Sequence, residues 1–206
     1  MSERLRIVPT SASRLSIVAE VLTREISETI EIEGGSAFNS VPSSAKVVLD
    51  ASLEEALAKA ESASYETEAK DGKIVLLAHG VGAHAAHLYD GKNAISLMMD
   101  VLGKLPLTGE LKEVVDFYNE HFGLCMYGEK MDVACSDEDC GPLTLNIGKI
   151  YVEGDNLVIG CDSRIPVAFT VDSIEEAVKA KMEGTPYAYE RVSTERPLYV
   201  PKDSEL

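Results

Sequence analysis

The spacing of apolar residues along the chain predicts four amphipathic helices. The stretches "SLEEALAKA" from Ser52 and "SIEEAVKAKM" from Ser173 each begin with Ser-x-x-Glu and continue with apolar residues at helical spacing. This combination is typical of a helix N-terminus that starts with a capping box. Residues 93–105 and 109–123 show the same helical spacing without that start signal. Each helix is therefore expected to bury one face and expose the other.

Other stretches favour strands. "GKIVLLAHGV" (72–81) is rich in β-branched and aliphatic residues, as buried strands are. Residues 143–166 read as a hairpin whose turn, Glu153 to Asn156, contains Gly and Asn. Few helices among strands that are partly joined as hairpins predict an α+β fold, with helices packed on one face of antiparallel sheets.

One pattern occurs twice in the chain. "VPSSAKVVLDASLEEAL" (41–57) and "IPVAFTVDSIEEAV" (165–178) both read as an aliphatic residue and Pro, an extended apolar stretch, and then a capped helix. An aromatic, strand-like segment follows each copy, from Tyr65 and from Tyr187. A single long offset favours two related lobes over a solenoid, which needs several short repeats. We therefore predict two ferredoxin-like lobes, residues 1–106 and residues 107–206.

Composition narrows the possible partners. With 19 Lys and Arg against 35 Asp and Glu, the 206-residue chain has a net charge of −16. Nucleic acids and anionic membranes require a basic face, so neither is expected as a partner. No apolar run reaches membrane-spanning length, and the first residues lack the apolar core of a signal peptide. We expect a cytoplasmic protein with reduced cysteines.

The chemistry-bearing residues are too few for a complete metal site. The chain has four histidines, of which His84 and His87 stand three apart in a loop of small residues. A catalytic zinc site needs three protein ligands, and neither HExxH, a nucleophile elbow nor a phosphate-binding loop occurs. The loop "DVACSDEDCG" (132–141) lacks a second ligand pair, which favours a solvated acidic loop. A metal-binding protein that uses Cys135 and Cys140 remains an alternative.

Three segments resemble one peptidase family. "GVGAHAAHLYDGKNAISLMMDVL" (80–102) is similar to the hallmark segment of the lid, or dimerisation, domain in two-zinc peptidases related to aminoacylase and carnosinase. "GGSAFNSVPSSA" (34–45) resembles a Gly-x-Ala-x-Asn-x-Val-Pro strand of that family, and "CDSRIP" (161–166) resembles its later Arg-aliphatic-Pro strand end. The closing "PLYVPKDSEL" resembles the return to the catalytic domain. The peptidase V-like Xaa-His dipeptidases, whose long lid has two lobes, match this pattern best.

The resemblance implies a role for three residues. His84 would donate a hydrogen bond to the scissile carbonyl oxygen, while Arg164 and Asn39 would bind the terminal carboxylate end of a dipeptide or short peptide. Two zinc ions would be held by a catalytic domain of the same polypeptide, which is absent from these residues. His87 receives no role, and Gly91 and Asn93 are expected to shape the entrance to the following helix.

Two expectations follow for the chain by itself. It should hold no catalytic zinc and hydrolyse nothing without the catalytic domain. The alternative is a ferredoxin-like binding or oligomerisation module with no role in peptide hydrolysis.

Overall fold

A computed structural model describes residues 15–60 and 64–195. The closing segment used in the resemblance, 197–206, lies outside these residues. The α-helices are α1 (Glu54–Lys59), α2 (Ala94–Leu102), α3 (Gly109–His121) and α4 (Val171–Met182). The strands are β1 (Leu15–Glu25), β2 (Ile32–Gly34), β3 (Ser40–Val41), β4 (Ser44–Asp50), β5 (Tyr65–Lys70), β6 (Lys73–His79), β7 (Ala83–His84), β8 (Ser136–Asp137), β9 (Gly141–Pro142), β10 (Thr144–Glu153), β11 (Asn156–Pro166) and β12 (Ala188–Glu195).

Eight of these strands form one sheet in the order β12-β1-β11-β10-β2-β4-β6-β5. Each strand pairs antiparallel with its neighbours. The predicted hairpin is present as β10 and β11, and Glu153 pairs with Asn156 across its turn. The α+β prediction, with an antiparallel sheet, is therefore confirmed.

The sheet consists of two four-stranded halves with a narrow junction. β10 and β2 pair through only two residue pairs, Ile150 with Gly34 and Tyr151 with Glu33. β1 pairs with β11 and β12, so strand pairing crosses the predicted lobe boundary at residue 106. The division into lobes 1–106 and 107–206 and their ferredoxin-like character stay predictions.

One face of the sheet carries the hydrophobic core. In β4 and β6, alternate residues are buried, and buried residues pair with one another, as Val47 does with Leu76. All four helices contribute apolar side chains to the same buried cluster, which extends across both halves. The amphipathic patterns are thus explained by burial against a single sheet face.

Across the part of the chain that the structure describes, no helix is long and apolar enough to cross a bilayer.

Helical structure begins earlier than the capping boxes predicted, in a 3-10 turn before α1 and in the first residues of α4. Asp50 caps a 3-10 turn (Ala51–Leu53) that leads into α1, and its carboxylate accepts the backbone N–H of Ser52. Thr170 caps α4, and its hydroxyl accepts the backbone N–H of Ser173 at 3.1 Å. Asp50 and Thr170 have extended backbone conformation and so offer their oxygens first, which leaves the two serines inside the first turn.

The internal similarity holds for the helices and the strands that follow them. β5 follows α1 and β12 follows α4, and these strands are the two outer strands of the sheet. The extended stretch predicted between Pro and the helix is present only in the first copy, as β4. In the second copy that prediction is wrong, because β11 ends at Pro166 and residues 167–170 form a turn.

A carboxyl group lies within the core face of β1. Glu20 is 5% exposed and accepts hydrogen bonds from the Ser163 hydroxyl at 2.9 Å and from the Tyr189 hydroxyl at 3.1 Å. Burial raises the pKa of Glu20, because desolvation disfavours its charged form more than the two hydroxyl bonds favour it. The folded protein therefore favours the protonated form of Glu20 over the charged form more strongly than the unfolded chain does.

We predict that Glu20→Gln gains stability relative to the original protein as the pH rises. A raised folded-state pKa gives Glu20 a stabilising contribution that is complete below its unfolded pKa near 4.5 and is lost as the pH rises through the folded value. A glutamine stays neutral and avoids that loss. Urea unfolding of both proteins between pH 4.5 and pH 8 measures the difference. Glu68→Gln, an exposed position on β5, is the control; a Glu20→Gln difference that does not change with pH contradicts the prediction.

Candidate functional site

The loops that carry His84 and Asn39 lie side by side on the face of the sheet opposite the helices. β3 and β7 form a short antiparallel ladder in which Ser40 pairs with His84 and Val41 pairs with Ala83. The backbone N–H of Ala85 also donates to the carbonyl of Asn39 at 3.0 Å. Two of the three residues predicted from the sequence are therefore adjacent in the backbone, and both side chains are exposed.

The His84 ring is oriented by its own loop. Its Nδ1 accepts the backbone N–H of Ala86 at 3.1 Å, so His84 caps the short 3-10 helix that runs from Ala85 to Asp90. A neutral imidazole that accepts at Nδ1 carries its proton at Nε2. This arrangement leaves an N–H donor at Nε2, on an exposed side chain with a fixed tautomer.

Arg164, in contrast, is buried. It lies in β11, where its side chain is 4% exposed and its Nε donates to Oδ1 of Asp162 at 3.2 Å. Burial raises the pKa of Asp162, while the charge of the Arg164 guanidinium and its hydrogen bond lower it. Asp162 is thus the buried partner of Arg164, although it was not predicted as a site residue.

Thr144 and Asn146 in β10 also belong to the site and were not predicted. The Nδ2 group of Asn146 donates to the carbonyls of Phe38 at 2.7 Å and Ser40 at 2.9 Å. The Thr144 hydroxyl donates to the carbonyl of Ala85 at 3.3 Å. The sequence did contain a signal, because "LTLNIG" places two polar residues at alternate positions of an otherwise apolar strand, and therefore on one face.

Two glycines allow the Asn39 loop to approach the sheet. The register of β10 against β11 shifts between Ile147 and Lys149, so Gly148 is the extra residue of a bulge. A Cβ at Gly148 would lie 2.3 Å from the carbonyl oxygen of Phe38, and one at Gly160 would lie 2.5 Å from the Phe38 ring. Lys149 also stands 5.6 Å from the centre of that ring. The loop that contains Phe38 and Asn39 therefore packs directly against the backbones of β10 and β11.

Gly91 and Asn93 shape the entrance to α2. Oδ1 of Asn93 accepts the backbone N–H groups of Ile95 and Ser96, so Asn93 is the N-cap of α2. Its Nδ2 donates to the carbonyl of Ile147 at 2.8 Å, which ties the helix start to β10. A Cβ at Gly91 would lie 3.0 Å from side-chain carbons of Ala83 and Val41.

Comparison with known families decides the classification of the chain. Residues 67–190, which include His84 and Arg164, match the family described as "Peptidase dimerisation domain", the M20 dimerisation domain. The chain belongs to the M20 peptidase dimerisation-domain family. This result confirms the family resemblance that the sequence indicated.

Individual relatives of this M20 dimerisation domain carry dipeptidase names. A Bacillus subtilis protein named "Putative dipeptidase YtjP" is 28% identical over 162 residues, and a Staphylococcus haemolyticus protein with the same kind of name is 24% identical over 185 residues. These matches cover 75% and 85% of the chain but only 35% and 39% of the relatives. A solved structure, the aminoacylhistidine dipeptidase of Vibrio alginolyticus, is 12% identical and gives a TM-score of 0.41 over 93% of this chain and 46% of its own.

Other potential metal ligands of the M20 dimerisation domain are dispersed. Among residues 15–60 and 64–195, no three His, Cys, Asp or Glu side chains are grouped as a metal site would require. Residues 136–142 form the β8–β9 hairpin, in which Asp137 accepts backbone N–H groups of Asp139, Cys140 and Ala168. This carboxylate organises the turn. His87 is exposed, and its Nδ1 lies 3.2 Å from the Tyr89 hydroxyl.

We predict that Gly148→Ala destabilises this M20 dimerisation domain by about 1–3 kcal/mol, the usual cost of an added atom in a close-packed site. The new methyl group would displace the Phe38 backbone from the sheet. Gly82→Ala is the matched control, because a Cβ there would meet nothing closer than 3.8 Å, and its effect should stay within about 0.5 kcal/mol. Urea unfolding followed by circular dichroism gives both values. Equal stability of the two variants would show that contact at Gly148 is unimportant.

Proposed function

We propose that this M20 dimerisation domain acts as the substrate-binding lid of a zinc-dependent dipeptidase. His84 donates a hydrogen bond to the scissile carbonyl oxygen, and Arg164 and Asn39 bind the carboxylate end of a dipeptide or short peptide. The observation that carries this proposal is the adjacency of Asn39 and His84 across the β3–β7 ladder, with the donor nitrogen of His84 available on an exposed side chain.

His84 is suited to stabilise negative charge. When water attacks a peptide carbonyl, the carbonyl oxygen gains charge, and a donor already fixed at that position lowers the barrier. The bond from Ala86 to Nδ1 fixes both the tautomer and the ring direction before the substrate arrives. A ring that is oriented in advance loses little freedom during the reaction, which favours the transition state over the ground state.

Arg164 is suited to recognise a carboxylate. A guanidinium has five N–H donors in a rigid fork, and the bond from Nε to Asp162 occupies one of them. Asp162 also fixes the plane of the fork from within the sheet. Asn39 offers an amide N–H on the neighbouring loop. If Arg164 and Asn39 both bind the substrate carboxylate, the scissile bond would lie on the side of His84.

Zinc enters this proposal only through another domain. The described residues do not fit a zinc site, so the ions that would supply an activated water belong to a catalytic domain beyond them. The contribution that follows from these residues is confined to binding the substrate, orienting it and donating a hydrogen bond to its oxygen. The chain spans 35% and 39% of the Bacillus subtilis and Staphylococcus haemolyticus relatives, which is consistent with such a division.

Two predictions test the proposal in the longest protein encoded by the reading frame that contains these 206 residues. In the first, His84→Ala lowers kcat for dipeptide hydrolysis by about 10²–10³-fold with little change in KM, because one oxyanion donor is lost. His87→Ala, three residues away in the same exposed loop, is the control and should keep full activity. If His84→Ala is as active as the control, the alternative of a binding or oligomerisation module is favoured.

In the second, Arg164→Lys raises KM for dipeptides by about tenfold or more, because an ammonium keeps the charge but loses the bidentate geometry. The same variant should have a much smaller effect on a substrate whose C-terminus is amidated, since no carboxylate is then bound. Steady-state kinetics with a dipeptide and its amide give the comparison. An equal increase in KM for both substrates would assign Arg164 to structure and not to carboxylate recognition.

A further inference from the structure

We propose that Asn146, assisted by Thr144, is a positioning residue that sets the distances among Asn39, His84 and Arg164. This inference rests on the proposed function, because it concerns the same site. It assigns the spacing of the site to β10, a rigid strand, and not to the two loops that carry Asn39 and His84.

The amide of Asn146 donates hydrogen bonds to the backbone on both sides of Asn39. Its two bonds go to the carbonyls of Phe38 and Ser40, at 2.7 Å and 2.9 Å. A planar amide that donates to two fixed acceptors defines the position and the direction of the segment between them. The nitrogen of the amide must face the loop, because exchanging it with Oδ1 would place an acceptor against two carbonyl acceptors.

The same amide acts on His84 through the backbone. Ser40, whose carbonyl it holds, pairs with His84 in the β3–β7 ladder, and the Asn39 carbonyl accepts the N–H of Ala85. Thr144 adds a second attachment by donating to the carbonyl of Ala85. One strand therefore fixes the residues next to both exposed side chains.

The partner strand carries the other half of the site in register. Thr144 stands opposite Arg164 and Asn146 stands opposite Asp162 in the β10–β11 ladder. Residues directly opposite in an antiparallel pair have Cβ atoms about 4.5–5.5 Å apart. The separation between Arg164 and the two loops is thus a property of strand pairing, which is far stiffer than a loop.

Asn146 is a poor choice if stability alone is considered. It is 2% exposed, and its Oδ1 has no hydrogen-bond partner within the described ranges. A buried acceptor without a partner destabilises the folded state, because it has lost its hydrogen bonds to water. Its Nδ2 nevertheless holds the Asn39 loop through two hydrogen bonds. Such a loss of local stability together with a defined geometry is expected at functional sites.

The test uses Asn146→Leu, which keeps similar volume and removes both donors without adding charge. In the 206-residue chain, hydrogen exchange at the Ala85 amide should become about 10–100-fold faster, as expected when two bonds of about 1 kcal/mol each are lost. The ¹⁵N resonance of His84 Nδ1 should also shift, because its fixed acceptor geometry is released. Asn119→Leu is the control, since its Nδ2 donates to the Met99 carbonyl in α2, at a distance from the loops in sequence and fold.

A second variant keeps the test decisive if Asn146→Leu folds poorly. Thr144→Val removes only the bond to the Ala85 carbonyl and should accelerate exchange at residues near His84 while leaving the midpoint of global unfolding nearly unchanged. The positioning role is overturned if either variant leaves the Ala85 amide and the His84 ring unchanged, or if Asn119→Leu changes them equally.

Kinetics separate this role from the proposed function. In the longest protein from the reading frame, Asn146→Leu should lower kcat by about 10²-fold, the cost of misplacing a reacting group by roughly 1 Å, with full activity in Asn119→Leu. A silent His84→Ala together with the NMR changes in Asn146→Leu would reject the proposed function and retain the positioning role. An inactive His84→Ala together with unchanged NMR signals in Asn146→Leu would do the opposite.

Discussion

The architecture depends on β10, which pairs with β11 along its length and divides its other side between β2 and the two loops of the candidate site. Its later residues, Ile150 and Tyr151, pair with β2 and join the two halves of the sheet. Its earlier residues lie outside that pairing, and Thr144 and Asn146 bind instead to the loops around Asn39 and His84. The bulge at Gly148 separates the two regions. One strand therefore both completes the sheet and supports the candidate site.

The two faces of the sheet have different physical roles. On the helix side, apolar side chains from both halves and all four helices form one cluster, which stabilises the fold through burial. On the other side, Asp162 and Arg164 are buried as an ion pair under short loops. Burying such a pair gives little net stability, and removing one partner is strongly destabilising. The polar face is thus retained for its geometry, while the core carries the stability.

Local sequence predicted the helices, the hairpin and the α+β class, because periodicity and turn residues act over a few positions. The helix starts were missed because Asp50, at the end of β4, and Thr170, after the turn that follows β11, offer cap oxygens before the serines. The family resemblance supplied His84, Arg164 and Asn39, whose roles stay proposals. Asn146 escaped prediction because its acceptors lie more than 100 residues away, and the burial of Arg164 depends on loops that no local pattern places.

The two-residue junction between β10 and β2 also has a mechanical meaning. The core ties the two halves together on the helix side, because its buried side chains come from both. His84 and Asn39 belong to loops of one half, and Arg164 belongs to a strand of the other. Thr144 and Asn146 nevertheless hold both loops to β10, which belongs to the same half as Arg164, so bending along the junction would leave the spacing among the three residues unchanged.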